Sequence, residues 1–158
     1  MGKEAVLITS AGQGIESYII KDMANKLMIH NIFMPRSLPE NLEDIKTVIV
    51  AVGFSSIEND FSKDYSYQDE YERIQHILRR SKNKNIKIIS IYCSDKLFRG
   101  KANDNLIKLV CEKSDYIITT KNSDSDGFIS KIAKEEGISL TLVDDVSEMY
   151  EPLASIFR

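Results

Sequence analysis

The sequence contains little cysteine and histidine, and it has no long uninterrupted apolar run. Cys93 and Cys111 are too few for a disulfide framework, and they lack the spacing of metal ligands. No apolar stretch approaches the roughly 20 residues that a membrane-spanning helix needs. The composition therefore predicts no disulfide scaffold, no bound metal and no contact with a membrane.

The chain also lacks a strong excess of charge of either sign, with 21 Lys and Arg residues, 24 Asp and Glu residues and a formal net charge of −3. A nucleic-acid-binding protein normally carries a basic patch. The cluster of basic residues at 79–84 lies at the end of a helical pattern, where cations complement the helix dipole. We therefore expect no nucleic-acid partner.

Export signals, repeats and linkers are absent from the sequence as well. We therefore expect a cytoplasmic protein, or an exported one if a leader peptide has been removed. The length of 158 residues is that of one ordinary domain. Residues 1–158 are accordingly predicted to form a single domain.

Short apolar runs alternate with amphipathic helical segments along the whole chain. Six runs are predicted to be strands: residues 4–9, 31–34, 47–52, 86–92, 115–119 and 139–143. The third and fifth runs are continuously apolar or β-branched, as in strands that are covered on both faces. The last run alternates apolar and polar residues, which is typical of an edge strand with one wetter face.

The segments between the strands show the 3.6-residue apolar stripe of amphipathic helices. The stripes are Tyr71, Ile74, Ile77 and Leu78; then Leu106, Ile107 and Val110; then Phe128, Ile129, Ile132 and Ala133. Asn103 or Asp104 is predicted to cap the second of these helices, and Asp126 the third. Gly137 is predicted to end the third helix.

Strands that alternate with helices predict a parallel sheet, because right-handed crossovers place helices on both of its faces. We expect a three-layer Rossmann-like or flavodoxin-like α/β fold, with a mostly parallel sheet of five to six strands. The expected strand order is 2-1-3-4-5, with the sixth strand at the far edge. In this order the switch point, where such folds bind ligands, lies between the first and third strands.

The most informative stretch is the end of the first strand, where an apolar run meets the small residues at 10–14 and a helix follows at once. Backbone N–H groups at such a junction hold polar or anionic ligands. The chain after the third strand is expected to form the opposite wall, and loops after the fourth and fifth strands are expected to supply positive charge. The candidate ligand-binding residues are Ser10, Gly12, Gln13, Gly14, Gly53, Ser55, Arg99 and Lys121.

A nucleotide cofactor is an alternative occupant of this position. Residues 12–17 begin a dinucleotide fingerprint, but Ser17 stands where the third glycine belongs, and no carboxylate ends the second strand. Arg36 at that position is compatible with the 2′-phosphate of NADP. FMN needs several hydroxyl groups in the first loop, where only Thr9 and Ser10 supply them. The cofactor therefore stays unknown.

Catalysis by a cysteine or serine nucleophile is a further alternative. Cys93 follows the fourth strand, but His30 and His76 belong to helical segments, so a Cys–His pair is not expected. Ser10 lacks the Gly-x-Ser-x-Gly elbow of hydrolases. The polar and aromatic residues 57–67 are a candidate lid over the switch point.

Several motifs resemble those of a known family. Residues 7–13 read LITSAGQ, and later pieces of the pattern are Gly53, Arg99-Gly100, Asp126-Gly127 and residues 151–153. Over nearly the whole chain they resemble an uncharacterised bacterial family of small Rossmann-like domains. The resemblance implies a shared fold, no assigned activity, and a shared patch around Ser10, Gln13, Gly53 and Arg99. It also implies an export signal in many members, and a glycine-rich segment where this chain has residues 58–61.

The leading functional prediction is therefore non-catalytic binding of a small polar or anionic molecule at the switch point, although fold alone does not fix function. An enzyme that uses NADP, FMN or a Cys or Ser nucleophile is the second prediction. A protein-interaction module is the third, and a homo-oligomer remains open. The sequence does not decide whether the protein is an enzyme.

Overall fold

The computed structural model describes residues 5–55, 65–94 and 96–158. Its centre is a six-stranded parallel sheet in the order β2-β1-β3-β4-β5-β6. The strands are β1 (Val6–Ala11), β2 (Asn31–Phe33), β3 (Thr47–Val52), β4 (Lys87–Tyr92), β5 (Tyr116–Thr120) and β6 (Ser139–Val143). The predicted fold class and strand order are therefore confirmed, with β6 at the edge.

Helices cover both faces of this sheet. The α-helices are α1 (Glu16–Lys26), α2 (Tyr67–Asn83), α3 (Lys101–Glu112), α4 (Phe128–Glu136) and α5 (Tyr150–Ile156). Short 3-10 turns follow β2, β4 and β6, at Pro39–Leu42, Lys96–Phe98 and Val146–Met149. Helices α2, α3 and α4 pack on one face, and α1 and α5 pack on the other. Within the described ranges, no helix is long and apolar enough to cross a membrane.

The central strands are mostly apolar because both of their faces are buried. Side chains alternate between the two faces along each strand. Leu7, Val48, Val50 and Val52 face the α2, α3 and α4 layer, whereas Val6, Ile8, Ile49 and Ala51 face the α1 and α5 layer. Since no face of β1 or β3 meets solvent, only the loops at their ends are available to a ligand.

The structure corrects three local predictions. Strand β1 extends two residues further than predicted, so Ser10 lies within the strand and not in the loop. Helix α3 begins earlier, after Gly100, and Asp104 lies in its first turn, where it accepts from the Gly100 N–H. At the start of α4, Asp124 accepts from the N–H groups of Ile129 and Ser130, while the one backbone N–H of this helix that Asp126 is shown to accept from is that of Phe128. The N-cap residues are Gly100 in α3 and Gly127 in α4, so the predicted caps Asp104 and Asp126 lie four residues after and one residue before them, respectively.

A buried ion pair links helix α2 to the loops after β1 and β2. Glu70 and Arg73 are one turn apart on α2, and their side chains are almost completely shielded from solvent. Arg73 Nε donates to Glu70 Oε1 at 2.9 Å, and Nη2 donates to Glu70 Oε2 at 3.0 Å. The pair forms because these two residues occupy core-facing positions on the stripe that contains Ile74 and Ile77.

The remaining hydrogen-bonding capacity of this pair is used by the surrounding backbone. Arg73 donates to the carbonyl oxygens of Ser10 and Ser37 and to the Thr9 hydroxyl. Burial raises the pKa of Glu70, but the hydrogen bonds from Arg73, Tyr65 and Gln13 and the positive charge of Arg73 together lower it more, so the net pKa lies below the usual range. Glu70 is therefore ionised, and its charge is compensated inside the protein.

Replacing Arg73 by Met should lower the free energy of unfolding by about 3–5 kcal/mol, because a buried carboxylate loses its cation. The matched control is Arg80→Met, which changes an exposed arginine of the same helix and should cost less than about 0.5 kcal/mol. Urea unfolding followed by circular dichroism measures both values. Equal losses in the two variants would show that the pair contributes nothing specific.

The same pair should make stability depend on acid. Because the pKa of Glu70 is lower in the folded protein than in the unfolded chain, its contribution is complete above the ordinary glutamate range. It is lost as the pH falls through the folded-state pKa. The difference in unfolding free energy between wild type and Arg73→Met should therefore shrink in acid, and urea titrations from neutral pH to pH 3 measure that trend. A difference that stays constant over this range would contradict the assignment.

Candidate functional site

The loops after β1 and β3 lie against each other at the switch point. Gly14 N–H donates to the Gly53 carbonyl at 3.1 Å, and Gly53 N–H donates to the Ala11 carbonyl at 3.0 Å. Gln13 and Phe54 form an isolated antiparallel bridge beside these bonds. The two loops are therefore joined by their backbones, and the open surface lies on either side of this contact.

The N–H groups of the first loop, which the sequence predicts as ligand donors, each have an acceptor within the protein. Gly12 N–H donates to Glu70 Oε2 at 2.8 Å, and Gln13 N–H donates to the Ser10 hydroxyl at 3.0 Å. Gly14 N–H is used by Gly53, as described above. An internal carboxylate thus takes the position that an external anion takes at many strand–helix junctions.

The glycines of the two loops are required by close packing. Gly12 has a φ of +103°, and a Cβ there would overlap the Gly53 carbonyl oxygen and the Phe54 ring. A Cβ on Gly14 or on Gly53 would instead overlap the carboxylate of Glu16. The glycines therefore give room to neighbouring groups of the same chain.

Gln13 connects the first loop to the chain after β2. Its Nε2 atom donates to the Pro35 carbonyl at 2.9 Å and to Glu70 Oε2 at 3.0 Å. Its own backbone has a φ of 61°, in the left-handed region.

Ser55, the last described residue before the gap that follows β3, is half-buried. Most of the predicted lid, residues 57–67, lies outside the described residues.

Tyr65, in the part of this segment that the structure describes, contacts the same network. Its hydroxyl donates to Glu70 Oε1, and the Arg36 guanidinium lies over its ring, 4.5 Å from the centroid. Burial and the hydrogen bond to Glu70 raise the pKa of Tyr65 to about 12. Arg36 is thereby held beside the first loop by a cation–π contact.

Arg99 and Lys121, the predicted cations, are engaged in ion pairs away from the first loop. Arg99 Nε donates to Asp104 Oδ1 at 2.6 Å, and its Nη1 lies 3.1 Å from Asp126. The hydrogen bond to Asp104 raises the pKa of Arg99 further above its already high value. Lys121 is exposed and lies 2.8 Å from Asp144. Sequence spacing gives no sign of the pairs that Arg99 forms with Asp126 and Lys121 forms with Asp144, because both aspartates come from later loops.

Glu16, which sequence reasoning missed, lies at the centre of the switch point. It belongs to the first turn of α1, and its carboxylate packs against the backbone of Gly14 and Gly53. One oxygen, Oε2, accepts from the Ser94 hydroxyl at 3.0 Å. The other, Oε1, is buried and has no hydrogen-bond partner among the described residues. An acidic residue at the start of a helix was visible in the sequence, but its reach to Ser94 was not.

Two grooves open at the carboxyl end of the sheet. The first, of about 290 Å³, lies between residues 13–15, Ser17 and Tyr18 on one side and Pro35 and Arg36 on the other. The second, of about 380 Å³, lies beyond β4 and β5 and is lined by Cys93, Ser94, Thr120, Ser123, Asp144 and other polar residues. Only the first includes candidate residues of the β1 loop, namely Gln13 and Gly14.

Neither predicted nucleophile is activated. Burial, and secondarily the negative charge of Glu16, raise the pKa of the Cys93 thiol to about 12. Ser10 is buried, and its hydroxyl accepts the N–H of Gln13. Among the described residues, no three His, Cys, Asp or Glu side chains are grouped as metal ligands.

The sequence of this chain matches a family model described as "Domain of unknown function (DUF6305)" over residues 3–157. The chain belongs to this family. The expectation of an uncharacterised family is therefore confirmed, whereas the LITSAGQ signature and a bacterial source stay predictions. No curated protein sequence matches the chain.

Solved structures with a similar arrangement include an SGNH-hydrolase family esterase, AlinE4. The two proteins are 14% identical, with a TM-score of 0.34. The aligned region covers 89% of this chain and 77% of the esterase. An aspartate-to-alanine variant of the same esterase gives 14% identity and a TM-score of 0.36, covering 100% of this chain and 85% of the variant. A likeness of this size does not bear on the activity of the DUF6305 domain.

Replacing Gly12 by Ala should lower the free energy of unfolding by about 2–4 kcal/mol, because the positive φ and the overlap with Gly53 and Phe54 both add strain. The control is Gly100→Ala, where a Cβ meets no atom within 4 Å and the cost should stay below about 1 kcal/mol. Urea unfolding compares the two. Similar losses would contradict the close packing of the loops.

Cys93 should react with a thiol reagent such as DTNB at least about 10³-fold more slowly than a free cysteine at pH 8, because its raised pKa leaves little thiolate. The Cys111→Ala variant makes Cys93 the only thiol for this measurement. Full reaction of one thiol in urea is the internal control. A native rate equal to that of free cysteine would restore Cys93 as a candidate nucleophile.

Proposed function

We propose that this protein binds a small polar or anionic molecule, without transforming it, in the groove between the β1 loop and the chain after β2. The observation that carries this proposal is the groove itself, which adjoins Gln13 and Gly14 and has Arg36 on its opposite wall. Its volume of about 290 Å³ suits a small ligand. This is the β2 side of the switch-point loop.

The charge around this groove supports a polar or anionic ligand. The start of α1 forms one wall, and its N-cap residue, Ile15, makes no side-chain capping hydrogen bond. The N–H groups and the dipole of a helix start both favour negative charge. The Glu16 carboxylate, which would oppose such a ligand, points to the other side of the loop, toward Gly53 and Ser94.

Arg36 would supply the specific charge in this proposal. Its position on the Tyr65 ring reduces the conformational freedom that the side chain loses when a ligand binds. Arg99 and Lys121, the cations expected from the sequence, do not line this groove and would act only through their own loops. Ser10, Gly12, Gly53 and Ser55 would shape the loops and not touch the ligand.

The state of the nucleophiles supports binding over catalysis. A cysteine with a pKa of about 12 is a thiol at neutral pH and does not attack a substrate. The Ser10 hydroxyl is buried within β1 and accepts the N–H of Gln13. The groove residues 13–15, Ser17, Tyr18, Pro35 and Arg36 include no nucleophile–base pair of the kind that enzymes use.

Calorimetric titration with inorganic phosphate, citrate, NADP and FMN, and with glucose as a neutral probe, tests this proposal. At least one anion should bind to the wild-type protein, and Arg36→Gln should weaken it about 10- to 100-fold, the scale of one charge-assisted hydrogen bond. The matched control is Arg79→Gln, which removes the same charge from an exposed position on α2.

The outcomes separate clearly. Binding that Arg36→Gln weakens and Arg79→Gln leaves unchanged supports the groove. Equal weakening by both variants indicates a general charge effect and overturns the proposed site. No binding of any probe overturns the anionic ligand class, and glucose binding alone would leave only a neutral polar ligand.

A further inference from the structure

Strand β2 forms an open edge of the sheet. It stands first in the strand order, and in the described part of the chain its one strand neighbour is β1. Met34, directly after β2, donates its N–H to the Ile8 carbonyl of β1 at 3.0 Å. Backbone groups of alternate strand residues point to the same side, so Ile32 also faces β1, and the N–H and C=O groups of Asn31 and Phe33 point outward. Such an outward row is a template for another strand.

The exposed apolar surface of the protein is concentrated at the same edge. Eight large apolar side chains of the described residues are exposed, and two of them, Leu97 and Leu142, lie elsewhere. The other six belong to α1 and its cap, to β2 or to the segments on either side of β2: Ile15, Tyr18, Ile19, Met28, Ile32 and Leu38. The three residues of β2 include no charge and no proline, the features that usually protect an edge strand. An apolar edge of this kind is typical of an interaction surface.

The outward groups of β2 are arranged symmetrically about Ile32, and this arrangement fits a second copy of the same strand. A two-fold axis through Ile32 places Asn31 opposite Phe33 of the second copy, and Phe33 opposite Asn31 of the second copy. Each of these two pairs can exchange both N–H···O=C bonds, as in a regular antiparallel ladder. Ile32 then faces its own copy between the two pairs. A contact of this type closes on itself, as most homodimer interfaces do.

The charges of α1 beside β2 are complementary to themselves as well. Lys21 Nζ lies 5.3 Å from the centre of the Phe33 ring and 3.5 Å from Asp22 Oδ1. One turn later, Asn25 accepts from the side chain of Asn31 at 2.8 Å. This flank of α1 therefore runs along β2 in the opposite direction, with Lys21 and Asp22 between its ends. The two-fold axis that exchanges the ends of β2 brings Lys21 of each copy toward Asp22 of the other, and opposite charges at such a contact favour association.

We propose that β2 pairs in the antiparallel direction with β2 of a second copy, so that the two six-stranded sheets of a homodimer form one continuous sheet. The pairing covers the exposed side chain of Ile32 with its own copy. On the α1 side it brings Tyr18, which stands edge-on to the Phe33 ring at 5.0 Å, into the interface. No ligand takes part in the pairing, so this inference does not depend on the proposed function.

Sedimentation equilibrium without added ligand tests the proposal. At about 100 µM, a concentration at which even a dimer of micromolar Kd is formed, the wild-type protein should have twice the 18.0 kDa mass of one chain. Ile32→Arg should reduce the mass to that of one chain, because two like charges would face each other across the axis. The matched control is Leu142→Arg, which changes an exposed residue of β6, the other edge strand, and should stay dimeric.

Three results would overturn the pairing. They are a monomeric wild-type protein at this concentration, a dimer that Ile32→Arg leaves intact, and equal loss of the dimer in both variants. Circular dichroism shows whether each variant is folded. The conservative variant described next keeps the proposal testable if Ile32→Arg does not fold.

A single cysteine on each edge strand tests the register directly. A non-hydrogen-bonded antiparallel pair brings its two Cα atoms to about 4.5 Å, which is within the range that a disulfide spans. Ile32→Cys should therefore form an intermolecular disulfide under mild oxidation, whereas Leu142→Cys should not. Both variants retain Cys93 and Cys111, so these native thiols contribute equally to the two measurements. Non-reducing electrophoresis measures the cross-linked fraction, and equal cross-linking of both variants, or of neither, would overturn the pairing through Ile32.

Discussion

The buried pair of Glu70 and Arg73 is the constraint on which the carboxyl end of this fold depends. Two opposite charges without access to water are stable only if nearly all of their hydrogen-bonding capacity is used. Arg73 uses carbonyl oxygens at the end of β1 and after β2, and Glu70 uses the N–H of Gly12 and the amide of Gln13. The conformation of the first loop is therefore set by α2 and not by a ligand.

This arrangement changes how the strand–helix junction must be interpreted. In many α/β proteins the N–H groups of this loop are satisfied only when an anion binds. Here the Glu70 carboxylate provides that negative charge permanently. The N–H groups of the loop are thus bound within the protein, and under the proposed function recognition would depend on Arg36 beside the loop.

The architecture could be predicted from the sequence because it rests on local patterns. The uninterrupted apolar run of β3 and the alternating run of β6 specify a central strand and an edge strand, and alternation with helices specifies a parallel sheet. For the candidate site, the sequence predicted the location at the switch point between β1 and β3 but not the contacts that its side chains make. Which carboxylate meets Arg99 or Lys121 depends on loops that are distant in sequence, and no periodicity reports such contacts.

The same limit applies to the residues that matter most. Glu70 and Arg73 fall on the apolar stripe of α2, four residues before Ile74 and Ile77 respectively, and two charges at core-facing positions are a signal that a pattern search can detect. Glu16 offers a weaker signal, because acidic residues are common in the first turn of a helix. Only its contact with two side-chain-free residues, Gly14 and Gly53, distinguishes it.

The two sides of the first loop consequently differ in the charged groups that they carry. Arg36 lines the groove beside Gln13 and Gly14, whereas the Glu16 carboxylate packs against Gly53 and accepts from Ser94. The absence of a Cβ at Gly14 and Gly53 is what leaves room for this carboxylate beside the joined loops. Steric closeness at the switch point therefore keeps Glu16 out of the groove of the proposed function, where its charge would oppose an anion.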